Sequence, residues 1–172
     1  MTSWPTLIAI VLVTFLGMEA FAWWAHKYIM HRWGWGWHRS HHEPEEGLFE
    51  KNDLYAVVFA IFAMLMFAIG SFGFPWITAF ATGVTLYGFF YFVVHDGLVH
   101  QRWPFRYIPH RGYAKRLVQA HRLHHAVRGK DHGVSFGFLY APPIDTLQRR
   151  LKQSGVVARE QAEIRAGRET VH

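Results

Sequence analysis

The chain alternates between three long apolar runs and blocks dense in polar residues. The runs cover about residues 6–25, 54–72 and 75–94. At a helical rise of 1.5 Å, about 20 residues extend about 30 Å, the thickness of a bilayer's hydrocarbon core. The pattern therefore predicts three membrane-spanning helices. Gly70-Ser-Phe-Gly-Phe-Pro75 is a tight turn signal, which makes the second and third spans an antiparallel hairpin. Asn52 and Asp53 are placed to cap the second span. The apolar piece at 134–140 is too short to cross a bilayer; it reads as a re-entrant or interfacial segment, or as a wall of a site. Helical spacing returns over about 113–128. The polar tail, residues 145–172, reads as a surface helix fraying into disorder.

Charge adds sidedness. None of the 18 Lys and Arg residues falls in 1–25 or 52–94; four lie in 27–51 and fourteen after His95. Three spans put the termini on opposite sides, and every basic residue lies on the C-terminal side. The positive-inside rule makes that side cytoplasmic and predicts a multi-pass protein of the cell inner membrane with its N-terminus outside. Met1-Thr-Ser-Trp-Pro5 carries no basic residue, and the first run continues into Trp23 and Trp24, so a retained helix is expected rather than a cleaved signal peptide. The net charge of +6 fits loops facing anionic lipid better than nucleic-acid binding, because the basic residues flank apolar spans. Trp33-Gly-Trp-Gly-Trp37 reads as an interfacial aromatic belt. Glu19 lies inside the first span, where a carboxylate is costly unless it faces protein interior or a partner. The expected fold is all-α: an integral membrane helical bundle with about three transmembrane helices and a cytoplasmic histidine-rich helical cap, forming a single domain over 1–172.

Ten of the 13 histidines fall in four clusters: His26 and His31; His38, His41 and His42; His95 and His100; and His121, His124 and His125. Positions i, i+3 and i+4 share a narrow sector of a helix, so the members of each trio point the same way. Positions i and i+5 fall about 140° apart, so the members of each wide pair diverge on ideal helices; they could straddle one site or bind two different metals, especially where a helix ends. Unliganded imidazoles packed together would compete for donors and repel on protonation, which makes these ten residues candidate metal ligands.

The absence of cysteine excludes disulfides, thiolate-ligated haem, Cys-ligated clusters and Cys-based zinc sites. Two ions sharing ten imidazoles would have about five each, whereas structural zinc prefers four. Imidazole suits iron, copper, nickel and zinc alike; ligand number and the membrane setting favour a di-iron centre with oxygen chemistry. The two Glu-x-x-His motifs that soluble di-iron bundles use are not both present. Asp96, Asp131 and Asp145 are candidates to orient ligand imidazoles through their outer N–H groups, although a surface acid or helix cap is the plainer reading of each. His110 and His132 lie outside the motifs and read as residues behind the ligands or on the surface.

The motifs His26-x4-His31, His38-x2-His41-His42, His95-x4-His100 and His121-x2-His124-His125 resemble the membrane fatty acid hydroxylase/sterol desaturase superfamily. The words between them, such as His31-Arg-Trp-Gly-Trp-Gly-Trp-His38 and His95-Asp-Gly-Leu-Val-His100-Gln-Arg-Trp-Pro, are similar to its bacterial β-carotene hydroxylase branch. The likeness covers about 6–143, with no departure at the ten histidines. It implies two non-haem iron ions held by the ten histidines, O2 as co-substrate, and electrons from reduced ferredoxin and its reductase. The implied reaction hydroxylates carbon 3 of the β-ionone rings, taking β-carotene through β-cryptoxanthin to zeaxanthin. The substrate would be dissolved in membrane lipid. The competing readings are a fatty-acid or sterol oxidase, a carotenoid ketolase, a haem electron carrier and a non-enzymatic membrane metal carrier.

Overall fold

The structure is a computed structural model describing residues 2–43, 49–104 and 106–169. Every regular element among them is helical: α1 Trp4–Ala25, α2 Trp35–His42, α3 Asp53–Ser71, α4 Pro75–Tyr91, α5 Gly112–His125, α6 Ile144–Ser154 and α7 Val156–Glu169. Two stretches continue their helices in a wider winding, His26–Met30 after α1 and Phe92–Val99 after α4. With these extensions, Trp4–Met30, Asp53–Ser71 and Pro75–Val99 are long and apolar enough to cross a membrane. The first and third outrun the apolar runs because the winding carries them on through His26 and His95.

α4 packs against both α1 and α3. Its contact with α1 is close because Gly83 has no side chain. A Cβ there would stand 2.8 Å from the Val11 carbonyl oxygen and 2.6 Å from the Thr14 Cβ. Backbone cannot yield as a flexible side chain does, so Gly83→Ala must part the two helices. The expected cost is about 1–3 kcal/mol, visible as a lower thermal midpoint in detergent; an unchanged midpoint would contradict this packing. Outward-facing residues such as Val13, Leu16, Met64 and Phe89 are exposed apolar side chains, as lipid-facing positions require.

Below the spans, a second core joins Ala120, Val127, Val134, Ala141, Leu147, Leu151 and Val156. The C-terminal segment is therefore more than a surface helix: α6 buries Leu147 and Leu151 and fixes α5 from beneath. Gly155, at φ 65°, makes the break to α7. The predicted fraying falls on residues 170–172, outside the described residues.

The expected caps of the second span do other work. Asn52 occupies the N-cap position of α3, but its side chain bonds to His38. Asp53 forms a two-bonded ion pair with Arg102, at 2.8 Å on each oxygen.

Candidate metal centre

The histidines meet at one end of the bundle, where α1 and α4 finish and α3 begins. The widened turns decide how. His31 N–H bonds to the His26 carbonyl at 3.0 Å, and His100 N–H bonds to the His95 carbonyl at 2.9 Å, each an i→i+5 closure. One residue more than an α-turn brings position i+5 back over position i. The divergence expected on ideal helices does not occur in these widened turns, and each wide pair closes on one site at a helix end: the rings of His26 and His31 lie 5.1 Å apart, and those of His95 and His100 4.5 Å apart.

The ten rings form two groups of five. One ring nitrogen from each of His26, His31, His38, His42 and His124 lies within 4.8 Å of the others. The same holds for His41, His100, His121 and His125, and His95 joins them with its Nε2 3.1 Å from that of His41. Each wide pair serves one group. Each trio is divided: α2 gives His38 and His42 to the first group and His41 to the second, while α5 gives His124 to the first and His121 and His125 to the second. The two halves of the chain thus contribute in mirror proportions.

Seven of these rings are held from behind through Nδ1. His26, His31, His42 and His124 bond to the carbonyl oxygens of Phe136, Lys130, Val127 and Val134, at 2.8–2.9 Å. His38 bonds to Asn52 Oδ1 at 2.7 Å, His41 to Glu50 Oε2 at 2.9 Å and His95 to Asp96 Oδ1 at 2.8 Å. A carbonyl can only accept, so each such Nδ1 carries the hydrogen, and in the neutral ring Nε2 is left as a lone pair.

Those lone pairs face one another. The Nε2 atoms of His31 and His124 stand 3.2 Å apart, and those of His26 and His38 stand 3.0 Å apart. With both hydrogens committed to Nδ1, neither contact can be a hydrogen bond; a shared cation satisfies both. His42 Nε2 is buried with no hydrogen-bond partner. Metal–nitrogen bonds of about 2.1 Å at near right angles separate the nitrogens by about 3.0 Å, matching these spacings and the 2.9 Å pairs His100–His121 and His125–His121. The donor set fits two ions bound through nitrogen.

Burial keeps the imidazoles neutral. Desolvation lowers His31 to about 4, against an opposing hydrogen bond to the Lys130 carbonyl, and His38 to about 3. It also lowers His100 to about 4, with the Arg102 charge adding to it. His41, His121 and His124 are driven well down by desolvation and by their neighbouring histidines. An unfolded chain protonates these rings near 6.5, while the folded one keeps His31 and His100 neutral until about 4. Protons then favour the unfolded state across that window. Metal-stripped protein should therefore lose thermal stability as pH falls from 7 towards 4.5, and a flat profile would contradict the burial.

Of the acids singled out from sequence, Asp96 stands behind His95. Asp131 pairs with Arg32 at 3.6 Å on the surface, Asp145 sits in the first turn of α6, and His110 and His132 are exposed. Sequence reasoning missed Glu50, Asn52 and the four backbone carbonyls. Glu50 and Asn52 had a signal, being polar residues just ahead of a span; the carbonyls had none. The aromatic belt is only partly one: Trp33 is exposed, but Trp35 packs on His31, His38 and His42 at 5.3–5.9 Å.

The piece at 134–140 is a wall of the site. Phe136 packs on His26, His31 and His124, and Phe138 stacks on His26 at 5.1 Å while meeting His95 of the other group edge-on at 5.3 Å. Glu19 holds this wall. Its carboxylate accepts the backbone N–H groups of Phe138, Leu139 and Tyr140 at 2.9–3.1 Å and the Tyr87 hydroxyl at 2.7 Å.

The sequence profile of the fatty acid hydroxylase family matches residues 11–148. The chain belongs to the fatty acid hydroxylase family. Among its relatives, the β-carotene hydroxylase of Pantoea ananas is 63% identical over 150 residues, 87% of this chain and 85% of the relative. The β-carotene hydroxylase of Paracoccus sp. (strain PC1) is 59% identical over 153 residues, 88% of this chain and 94% of the relative. The chloroplastic β-carotene 3-hydroxylase of Haematococcus lacustris is 46% identical over 134 residues, 74% of this chain and 41% of the relative. No solved structure matches this family member.

Proposed function

We propose that the protein is a β-carotene hydroxylase acting at carbon 3 of the β-ionone rings, with two non-haem iron ions held by the ten histidines. The observation that carries this is the pair of five-histidine groups with inward Nε2 lone pairs, in a family chain whose relatives bear that name. Bound iron would supply the redox chemistry that puts one atom of O2 into a C–H bond and releases the other as water, with two electrons and two protons from outside. His26, His31, His38, His42 and His124 hold one ion, and His41, His95, His100, His121 and His125 the other.

The chain's other residues keep that set in place. The carbonyls of residues 127–136, with Asn52, Glu50 and Asp96, fix the rings' tautomer and direction. Phe136 and Phe138 cover the groups and exclude water. A carotenoid reaches the site from lipid, since the rings sit at the end of apolar helices. Reduced ferredoxin delivers electrons from the basic side, which the positive-inside rule makes the cytoplasmic face of the inner membrane; the N-terminus then lies outside.

Expression in cells accumulating β-carotene tests the reading. Zeaxanthin, formed by way of β-cryptoxanthin, is expected. Canthaxanthin would instead make the protein a ketolase, and unchanged β-carotene would count against the substrate. Metal analysis of the purified protein should give two irons per chain.

A further inference from the structure

Four cationic side chains, Lys27, Arg32, Lys130 and Arg150, line one cavity of about 380 Å³. Asp131 is the single carboxylate among the lining residues, and it is taken up by Arg32. Among the described residues, no acidic group lies within ion-pairing distance of Lys27, Lys130 or Arg150. We propose that this cavity binds a phosphate ester, the headgroup of an anionic membrane lipid.

Position in the fold supports the class of ligand. Lys27 lies near the end of the first membrane-capable helix, Trp4–Met30, with its ammonium 5.0 Å from the Trp23 ring and 5.1 Å from the Tyr28 ring. Trp23, Trp24, Tyr28 and Tyr140 are exposed around it, the aromatic zone that marks headgroup depth. Arg32, Lys130 and Arg150 then sit just beyond the hydrocarbon edge, where basic pockets attract anionic lipid. The cavity is at the small end of ligand-binding size, about 300–1,000 Å³. That is room for a headgroup, whereas a carotenoid is far longer and has no charge to match these cations.

The cavity wall is also strained. His132 and Ser135, both lining it, hold φ values of 66° and 59°, in the left-handed region that non-glycine residues rarely adopt. The same loop offers the Lys130, Val134 and Phe136 carbonyls to His31, His124 and His26. A phosphate bridging Lys130 of this loop to Lys27, in the widened turn after α1, and Arg150 of α6 would hold the loop against both. Lipid composition would thereby act on the first histidine group. The site stands whatever the substrate is.

The chemistry is that of a phosphate group, and its source is either lipid or free phosphate. Purified full-length protein in nanodiscs of phosphatidylcholine alone, of phosphatidylcholine with phosphatidylglycerol, and of phosphatidylcholine with added inorganic phosphate separates them. The readouts are the thermal midpoint and the lipid retained in native mass spectrometry. Phosphatidylglycerol should be retained and should raise the midpoint. In Lys27→Gln/Arg150→Gln, affinity should fall about 10-fold or more, since two charges at the membrane surface are removed. Arg122→Gln, an exposed charge outside the cavity, should leave retention unchanged. If the double variant fails to accumulate, Arg150→Gln alone carries the test with a smaller loss. Equal protection by inorganic phosphate, lost in the same variant, supports the site and assigns it to the free ion. Protection by neither, protection that survives the double variant, or an equal loss in Arg122→Gln overturns the proposal.

Discussion

His124→Ala abolishes hydroxylation and leaves the three spans inserted. His124 is fully buried, and its Nε2 stands 3.2 Å from that of His31. Its ring also lies 4.5 Å from His26 and 4.8 Å from His42, so it touches three other members of the first group. Losing a residue behind a metal ligand commonly costs about 10–100-fold in affinity or activity; losing the ligand should exceed about 100-fold. The spans lie outside α5, so the amount of protein in the membrane should not change. Metal content should fall towards one ion per chain, because His121 and His125 on the same helix serve the other group. Arg122→Ala, two residues away and exposed on the opposite face of α5, should retain activity. Full activity in His124→Ala would remove this ring from the ligand set.

Glu19→Gln has the second largest effect, although among the described residues Glu19 hydrogen-bonds to no histidine. Four donors converge on its carboxylate: three backbone N–H groups of 138–140 and the Tyr87 hydroxyl. A glutamine keeps one oxygen and turns an N–H₂ group towards donors. Hydrogen bonds to a charged acceptor are each worth about 1.5–3 kcal/mol, and an orphaned buried donor costs a further penalty. The expected loss of stability is about 3 kcal/mol or more. Tyr87→Phe, which removes one donor and leaves the carboxylate, should cost less, about 1.5–3 kcal/mol. The wall that Glu19 pins carries the Val134 and Phe136 carbonyls, so metal should leave the first group before the second. A thermal midpoint and metal content equal to wild type would show that the wall holds itself.

The membrane helices were legible because their signal is one of length and hydropathy, which lipid imposes without help from neighbours. The trios were legible because i, i+3 and i+4 share a face of any α-helix. The wide pairs stayed open because residue spacing was converted to angle with an α-helical period, and the widened turns at 26–30 and 92–99 do not follow it. Asn52 looked like a cap because it precedes an apolar run; His38, distant in space on ideal local rules, claims its side chain. Glu19 stayed undecided because its partners lie 68 to 121 residues downstream. The carbonyls of Val127, Lys130, Val134 and Phe136 could not be read at all, since every residue has one and only the fold selects which are aimed at a ring. The buried leucines of α6 were hidden in a segment whose composition is that of a solvated tail.

The division of each trio has a thermodynamic consequence. His41 and His42 are adjacent on α2 but belong to different groups, and so are His124 and His125 on α5. A short helix can satisfy both neighbours at only one rotation about its axis. A cation seated in one group would select that rotation and so lower the cost of ordering the other group. In the proposed two-ion centre, linkage would make the effect reciprocal: filling either group would favour filling the other, and damage to one group would weaken the other as well.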